Sequence, residues 1–170
     1  VMGKKIEKLM AAVLALIMLA TFCAVPMTAS AEDGNLKFGD DGKFKIVIFS
    51  DVQDQYPVHQ RVIRIMEQAI ERENPDFIVF TGDMTEINTK DVNVDYRRTV
   101  EQILAPVVEA GLPYSIVFGN HDNQNYVSGT VTDRDAMLAV WQSIGDCRTV
   151  DANQALSGAG TCKIPVYSSN

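Results

Sequence analysis

The apolar positions of this chain fall into short, nearly continuous runs separated by longer stretches of helical period. Phe44-Lys-Ile-Val-Ile-Phe49 is rich in β-branched and aromatic residues. Such a run predicts a strand buried on both faces of a parallel sheet. Phe77-Ile-Val-Phe80 and Tyr114-Ser-Ile-Val-Phe118 repeat the signature. Between the first two runs, Val58, Val62, Ile65, Met66, Ala69 and Ile70 recur at helical spacing. They predict a helix from about Pro57 to Glu73, ended by Asn74-Pro75. A second helix is expected from Val94 to Ala110, with Pro106 kinking or interrupting it and Gly111 as its C-cap. A third should run from Asp133 or Arg134 to Ile144, and a last strand from Thr161 to Tyr167. This alternation predicts an α/β fold: a mostly parallel sheet with helices on its faces and right-handed crossovers.

The N-terminal segment has a different pattern. Lys4, Lys5 and Lys8 lead into an uncharged, strongly apolar stretch from Leu9 to Ala31 that closes on Ala29-Ser-Ala31. These are the parts of a secretory signal peptide. The competing reading is a retained membrane anchor; Pro26 and the small-residue site favour cleavage. Cys23 would suit a lipoprotein, but Phe22 stands where a small residue is needed. Residues 1–31 are thus read as a signal peptide, the polar Gly-rich residues 32–43 as a linker, and residues 44–170 as part of one domain. The expected location is secreted or in the cell envelope, with no stable membrane anchor after cleavage.

Composition narrows the function classes. A chain of 170 residues with 46% hydrophobic content is too apolar for a disordered tail. Fifteen basic against 22 acidic residues, without a basic stripe, leaves no nucleic-acid-binding patch. The only two histidines are His59 and His121, which excludes an imidazole-rich site within this polypeptide. Cys147 and Cys162 lie beyond the leader. In an exported protein they could pair; two buried thiols are the equal alternative.

Each apolar strand ends in a polar cluster holding an aspartate: Asp51-Val-Gln53, Gly82-Asp83 and Gly119-Asn-His-Asp122. Parallel strands bring all three to one sheet edge, where α/β folds bind ligands. Carboxylates and amide carbonyls are hard oxygen donors for Mn, Mg or Fe, and for Zn if imidazoles join. Gly82 and Gly119 permit sharp turns. No lysine or arginine lies within the clusters. Cations therefore explain the crowded carboxylates better than ion pairs do.

In this order and placement, the clusters resemble the calcineurin-like metallophosphoesterases. That family reads Asp-x-His, Gly-Asp, Gly-Asn-His-Asp or -Glu, then a later His and Gly-His-x-His. The match runs from Phe44 to Asp122. Gln102-Ile-Leu-Ala-Pro-Val-Val and Gly158-Ala-Gly-Thr161 look similar to the secreted branch related to purple acid phosphatases. The resemblance implies a partial metallophosphoesterase sandwich that hydrolyses phosphate esters with two metal ions (Mn, Fe or Zn). Asp51 would bind the first metal, with Gln53 standing where the family has His. Asp83 would bridge both metals, and Asn120 would bind the second. His121 would face the substrate as general acid or hydrogen-bond donor, oriented by Asp122.

No histidine follows Asp122. The expectation is the N-terminal part of a longer enzyme, itself inactive, with a bare sheet edge and apolar face. Gln53 and the absent histidines also permit a catalytically silent metal- or phosphate-binding exported protein. A receiver-like phosphoacceptor domain is opposed by Gly-Asn-His-Asp and the export signal. His59 reads as a surface or capping residue and Trp141 as core. Tyr56 and Tyr126 read as loop packing or pocket lining.

Overall fold

The three apolar runs form adjacent parallel strands in a computed structural model, which describes residues 34–86, 92–123, 133–153 and 155–169. Residues 1–31, read above as a signal peptide, and Tyr126 lie outside the described residues. The strands are β1 (Leu36–Lys37), β2 (Ile46–Phe49), β3 (Phe77–Phe80), β4 (Pro113–Ile116), β5 (Asp146–Cys147) and β6 (Val166–Tyr167). The helices are α1 (Gln60–Glu73), α2 (Val92–Glu109) and α3 (Arg134–Gln142). The main sheet has the order β2-β3-β4-β5, all parallel; β1 and β6 form a separate parallel pair.

This order determines where the helices go. Strands are added in one direction only. Right-handed crossovers then deliver every helix to the same face. Met66 of α1, Val100, Ile103, Leu104 and Val107 of α2, and Met137, Leu138 and Trp141 of α3 share one core with Ile78, Phe80, Tyr114 and Ile116. At its centre, Trp141 packs 5.3 Å from Phe80 and donates its indole N–H to the Tyr96 hydroxyl at 3.0 Å. The Tyr114 hydroxyl lies 2.7 Å from the Trp141 carbonyl and 2.8 Å from that of Ile144. Trp141 is core, as its apolar neighbours in the sequence suggest.

The other face differs from the expectation for β2. Ile46 and Ile48 are 48% and 62% exposed, and Val117 just past β4 is exposed as well. β2 is an edge strand covered on one side, not a strand buried on both. Its continuous apolar run gave no sign of this, because burial depends on neighbours. Among the described residues, β2 therefore leaves an unpaired edge, and Ile46, Ile48 and Val117 leave part of one face uncovered.

Smaller differences are local. α2 runs through Pro106 without ending, at the cost of one backbone donor. α2 closes as predicted at Gly111: with φ +65, its N–H reaches the Val108 carbonyl and that of Leu112 the Val107 carbonyl. α1 starts at Gln60 rather than Pro57, and Asn74 ends it in a left-handed conformation. The last strand is only Val166–Tyr167, and it pairs with Leu36–Lys37 inside the segment read as a linker. Neither β1 nor β5 carries an apolar run that would reveal it.

Candidate active site

The loops after β2, β3 and β4 leave the same sheet edge and are joined by backbone hydrogen bonds. The amides of Asp51, Gln53 and Asp54 donate to the carbonyls of Gly82, Asp83 and Met84 at 3.2, 2.9 and 3.4 Å. An isolated parallel bridge pairs Asp54 with Thr85. The first two clusters therefore extend the β2–β3 ladder past the sheet.

The motif residues adopt unusual backbone conformations. Asp51, Gln53 and Asp83 have φ of 55, 45 and 53, in the left-handed region that side chains normally avoid. Such strain persists only where the surroundings over-determine it, and it clusters at functional sites. Asp51, Gln53 and Asn120 are exposed, and Asp83 and His121 are half-buried. The Ser50 hydroxyl bonds the Asp51 carboxylate.

Two glycines allow the loops to approach each other. A Cβ on Gly82 would sit 2.4 Å from the Gly119 nitrogen, and one on Gly119 would sit 2.1 Å from Asp83 Oδ1. The Asp83 carboxylate thus lies against bare backbone. Its Oδ1 accepts the His121 amide at 2.7 Å. Its Oδ2 receives no hydrogen bond from a described residue.

Asp122 ties the edge together. It is 3% exposed. Its Oδ2 accepts the amides of Asp83 and Gly119, both at 2.8 Å. Its Oδ1 accepts those of Met84 at 2.9 Å and Thr85 at 3.1 Å, with the Thr85 hydroxyl at 3.3 Å. None of these bonds goes to the His121 ring. In this structure Asp122 holds the β3 and β4 loops in register.

A second buried carboxylate, Asp54, was missed by sequence reasoning. It accepts the amides of Gln55 and His59, each at 2.8 Å, and lies 2.9 Å from the His59 Nδ1. His59 is the N-cap residue of α1, and its side chain is 82% exposed. The available signal was an aspartate five residues ahead of the helix N-cap. Thr99 and Gln102 were missed as well. They accept the amides of Tyr56 and Val58, each at 2.8 Å, and so fasten the β2 loop to α2. Tyr56 stacks with Arg98, whose guanidinium carbon lies 5.2 Å from the ring centre.

Asp51, Gln53, Asp83 and Asn120 offer hard oxygen donors at one edge, and Asp83 Oδ2 has no hydrogen-bond donor among the described residues. This donor chemistry fits a divalent cation. No three His, Cys, Asp or Glu side chains among the described residues converge into a complete metal-binding group.

Fold and edge together define a parallel α/β domain with a carboxylate-and-amide site on its strand ends. Residues 44–159 match the family described as Calcineurin-like phosphoesterase, and the chain belongs to that family. Members of the family generally use divalent metals. The chain is 30% identical over 100 residues to "Phosphatase DCR2" of Saccharomyces cerevisiae, covering 50% of this chain and 17% of that protein. It is 29% identical over 106 residues to "Probable inactive purple acid phosphatase 28" of Arabidopsis thaliana, covering 53% and 26%. It is 30% identical over 123 residues to "Probable inactive purple acid phosphatase 29" of the same plant, covering 63% and 31%. The chain thus spans between 17% and 31% of the length of these relatives.

Proposed function

We propose that this chain is the N-terminal part of an exported, metal-dependent phosphatase acting on phosphate esters. The observation that carries this reading is the mutual bracing of the second and third clusters. Asp83 accepts the His121 amide, while Asp122 accepts those of Asp83 and Gly119. Such bracing fixes Asp83, Asn120 and His121 relative to one another, as phosphoryl transfer requires.

In this reading Asp51, Gln53, Asp83 and Asn120 hold two metal ions, of which Mn, Fe and Zn are the candidates. The metals supply the positive charge that draws an anionic ester to an acidic protein and stabilises the equatorial oxygens. His121 donates a proton or a hydrogen bond to the phosphoryl group. Asp122 acts as a positioning residue through the backbone. Residues 1–31 serve as the export signal, and ligands missing from this chain come from further sequence.

Gln53 favours a second reading. A neutral amide is a weaker ligand than the imidazole the family usually has there, which suits a catalytically silent protein that binds metal or phosphate. One experiment separates the two. The product of the complete reading frame is purified, its metal content measured, and hydrolysis of aryl phosphate mono- and diesters followed with and without chelator. The enzyme reading expects chelator-sensitive turnover that is lost in Asp83→Asn. Wild-type turnover in that variant would refute the bridging role. Metal-dependent phosphate binding without turnover would establish the silent reading.

A further inference from the structure

Among the described residues, the imidazole held by a carboxylate is that of His59, not that of His121. Asp122 spends both its oxygens on backbone amides. Asp54 instead meets the His59 ring, with Nδ1 at 2.9 and 3.0 Å from its two oxygens. The same carboxylate accepts the amides of Gln55 and His59. A carboxylate offers no hydrogen, so Nδ1 carries the proton between the two side chains. Nε2 has no partner among the described residues, and the side chain is 82% exposed.

Helix capping does not explain this ring, which makes no side-chain cap bond to α1. Pinning an exposed side chain costs rotamer freedom and returns little stability. A buried carboxylate that fixes the tautomer and direction of an accessible imidazole suits proton transfer. The position suits it as well. Asp54 directly follows Gln53, one Cα step of about 3.8 Å, and its bridge to Thr85 continues the β2–β3 ladder. Thr99 and Gln102 fasten the amides of Tyr56 and Val58. The segment from Asp51 to His59 is therefore one short braced loop, which fixes the ring relative to Asp51 and Gln53.

We propose that His59 is a second catalytic residue, the general acid that protonates the departing ester oxygen, with Asp54 as its positioning residue. The inference rests on the phosphatase reading and divides the work within it: His121 serves the phosphoryl oxygens and His59 the leaving group. As water adds to phosphorus and the ester P–O bond breaks, the Nε2 proton passes to the leaving oxygen, and an alcohol departs. The proton shed by the attacking water returns to Nε2 through solvent. The substrate class that needs such an acid is the alkyl ester, whose oxygen leaves poorly as an anion.

Two readouts test it on the product of the complete reading frame. The first needs no turnover. Imidazole nitrogen NMR should show the neutral His59 ring, identified by its loss in His59→Asn, with the proton on Nδ1. The second compares 4-nitrophenyl phosphate, whose oxygen leaves readily without a proton, with ethyl phosphate, whose oxygen does not. His59→Asn keeps a donor toward Asp54, and His59→Gln keeps one toward the substrate, but neither can transfer a proton. Both should slow ethyl phosphate about 10²-fold more than 4-nitrophenyl phosphate, with the melting curve and metal content of the parent. A merely structural histidine would slow the two esters equally or not at all. That result overturns the inference, as does a neutral ring protonated on Nε2, or a parent that hydrolyses only the 4-nitrophenyl ester. Failure of the phosphatase reading has a different mark: the parent hydrolyses neither ester in a chelator-sensitive way, and the inference falls with it.

Discussion

Replacing Asp122 by asparagine should loosen the site before it changes anything at a substrate. Each carboxylate oxygen serves two backbone donors: Oδ1 accepts from Met84 and Thr85, and Oδ2 from Asp83 and Gly119. A carboxamide keeps one oxygen. Its NH₂ must face one of the two donor pairs, leaving two backbone N–H groups unmet in a buried place. Each costs about 1–3 kcal/mol, so Asp122→Asn should lose about 2–6 kcal/mol. That is a large part of the ~5–15 kcal/mol that holds a typical domain. It corresponds to a melting point lower by roughly 5–20 °C. Urea unfolding followed by circular dichroism and by the fluorescence of Trp141 would measure it. Thr85→Val is the control, because it removes only the 3.3 Å hydroxyl contact and should cost about 0.5–1.5 kcal/mol. The bracing argument fails if Asp122→Asn unfolds within ~0.5 kcal/mol of the parent, or if Thr85→Val is equally damaging.

Gly119→Ala should displace the Asp83 carboxylate, since the new Cβ would lie 2.1 Å from its Oδ1. Metal affinity by equilibrium dialysis should fall roughly 10–100-fold, and undiminished affinity would show that Asp83 is not held where the site needs it. Burial raises the pKa of the Cys147 thiol above its ordinary 9.0, with the Thr149 backbone opposing. The fold therefore favours the protonated thiol. That contribution to stability is complete below pH 9.0 and declines as pH rises above it. Iodoacetamide should accordingly label Cys147 more slowly in the native protein than in urea, and equal rates would contradict the burial argument.

The chain states its architecture openly where burial is symmetric and periodic. The apolar run matches β3 to the residue and the periodic pattern matches α3 to within two, because β3 is buried on both sides and Asp133 caps α3. The clusters at Asp51, Asp83 and Asn120 were legible because apolar runs stop abruptly there. The exposure of Ile46 and Ile48 was not, since an edge strand and a central strand share one composition and differ only in what lies beside them. The roles of Asp54 and Asp122 were hidden for another reason. Both bind backbone amides, and a sequence does not show which amides a fold leaves without partners.

Those two hidden roles bear on the acidity of the site. Four aspartates crowd one edge with no basic residue in the motifs, an arrangement that repulsion should disfavour. The structure divides them. Asp54 and Asp122 are buried, and backbone N–H dipoles meet their charge. Asp51 remains exposed, and Asp83 Oδ2 has no donor among the described residues. Two aspartates build the edge; the other two are left with unspent charge. Under the proposed metal-dependent reading, cations would be needed only for the outward pair. The ladder bonds and the Asp122 carboxylate hold the left-handed conformations at Asp51, Gln53 and Asp83.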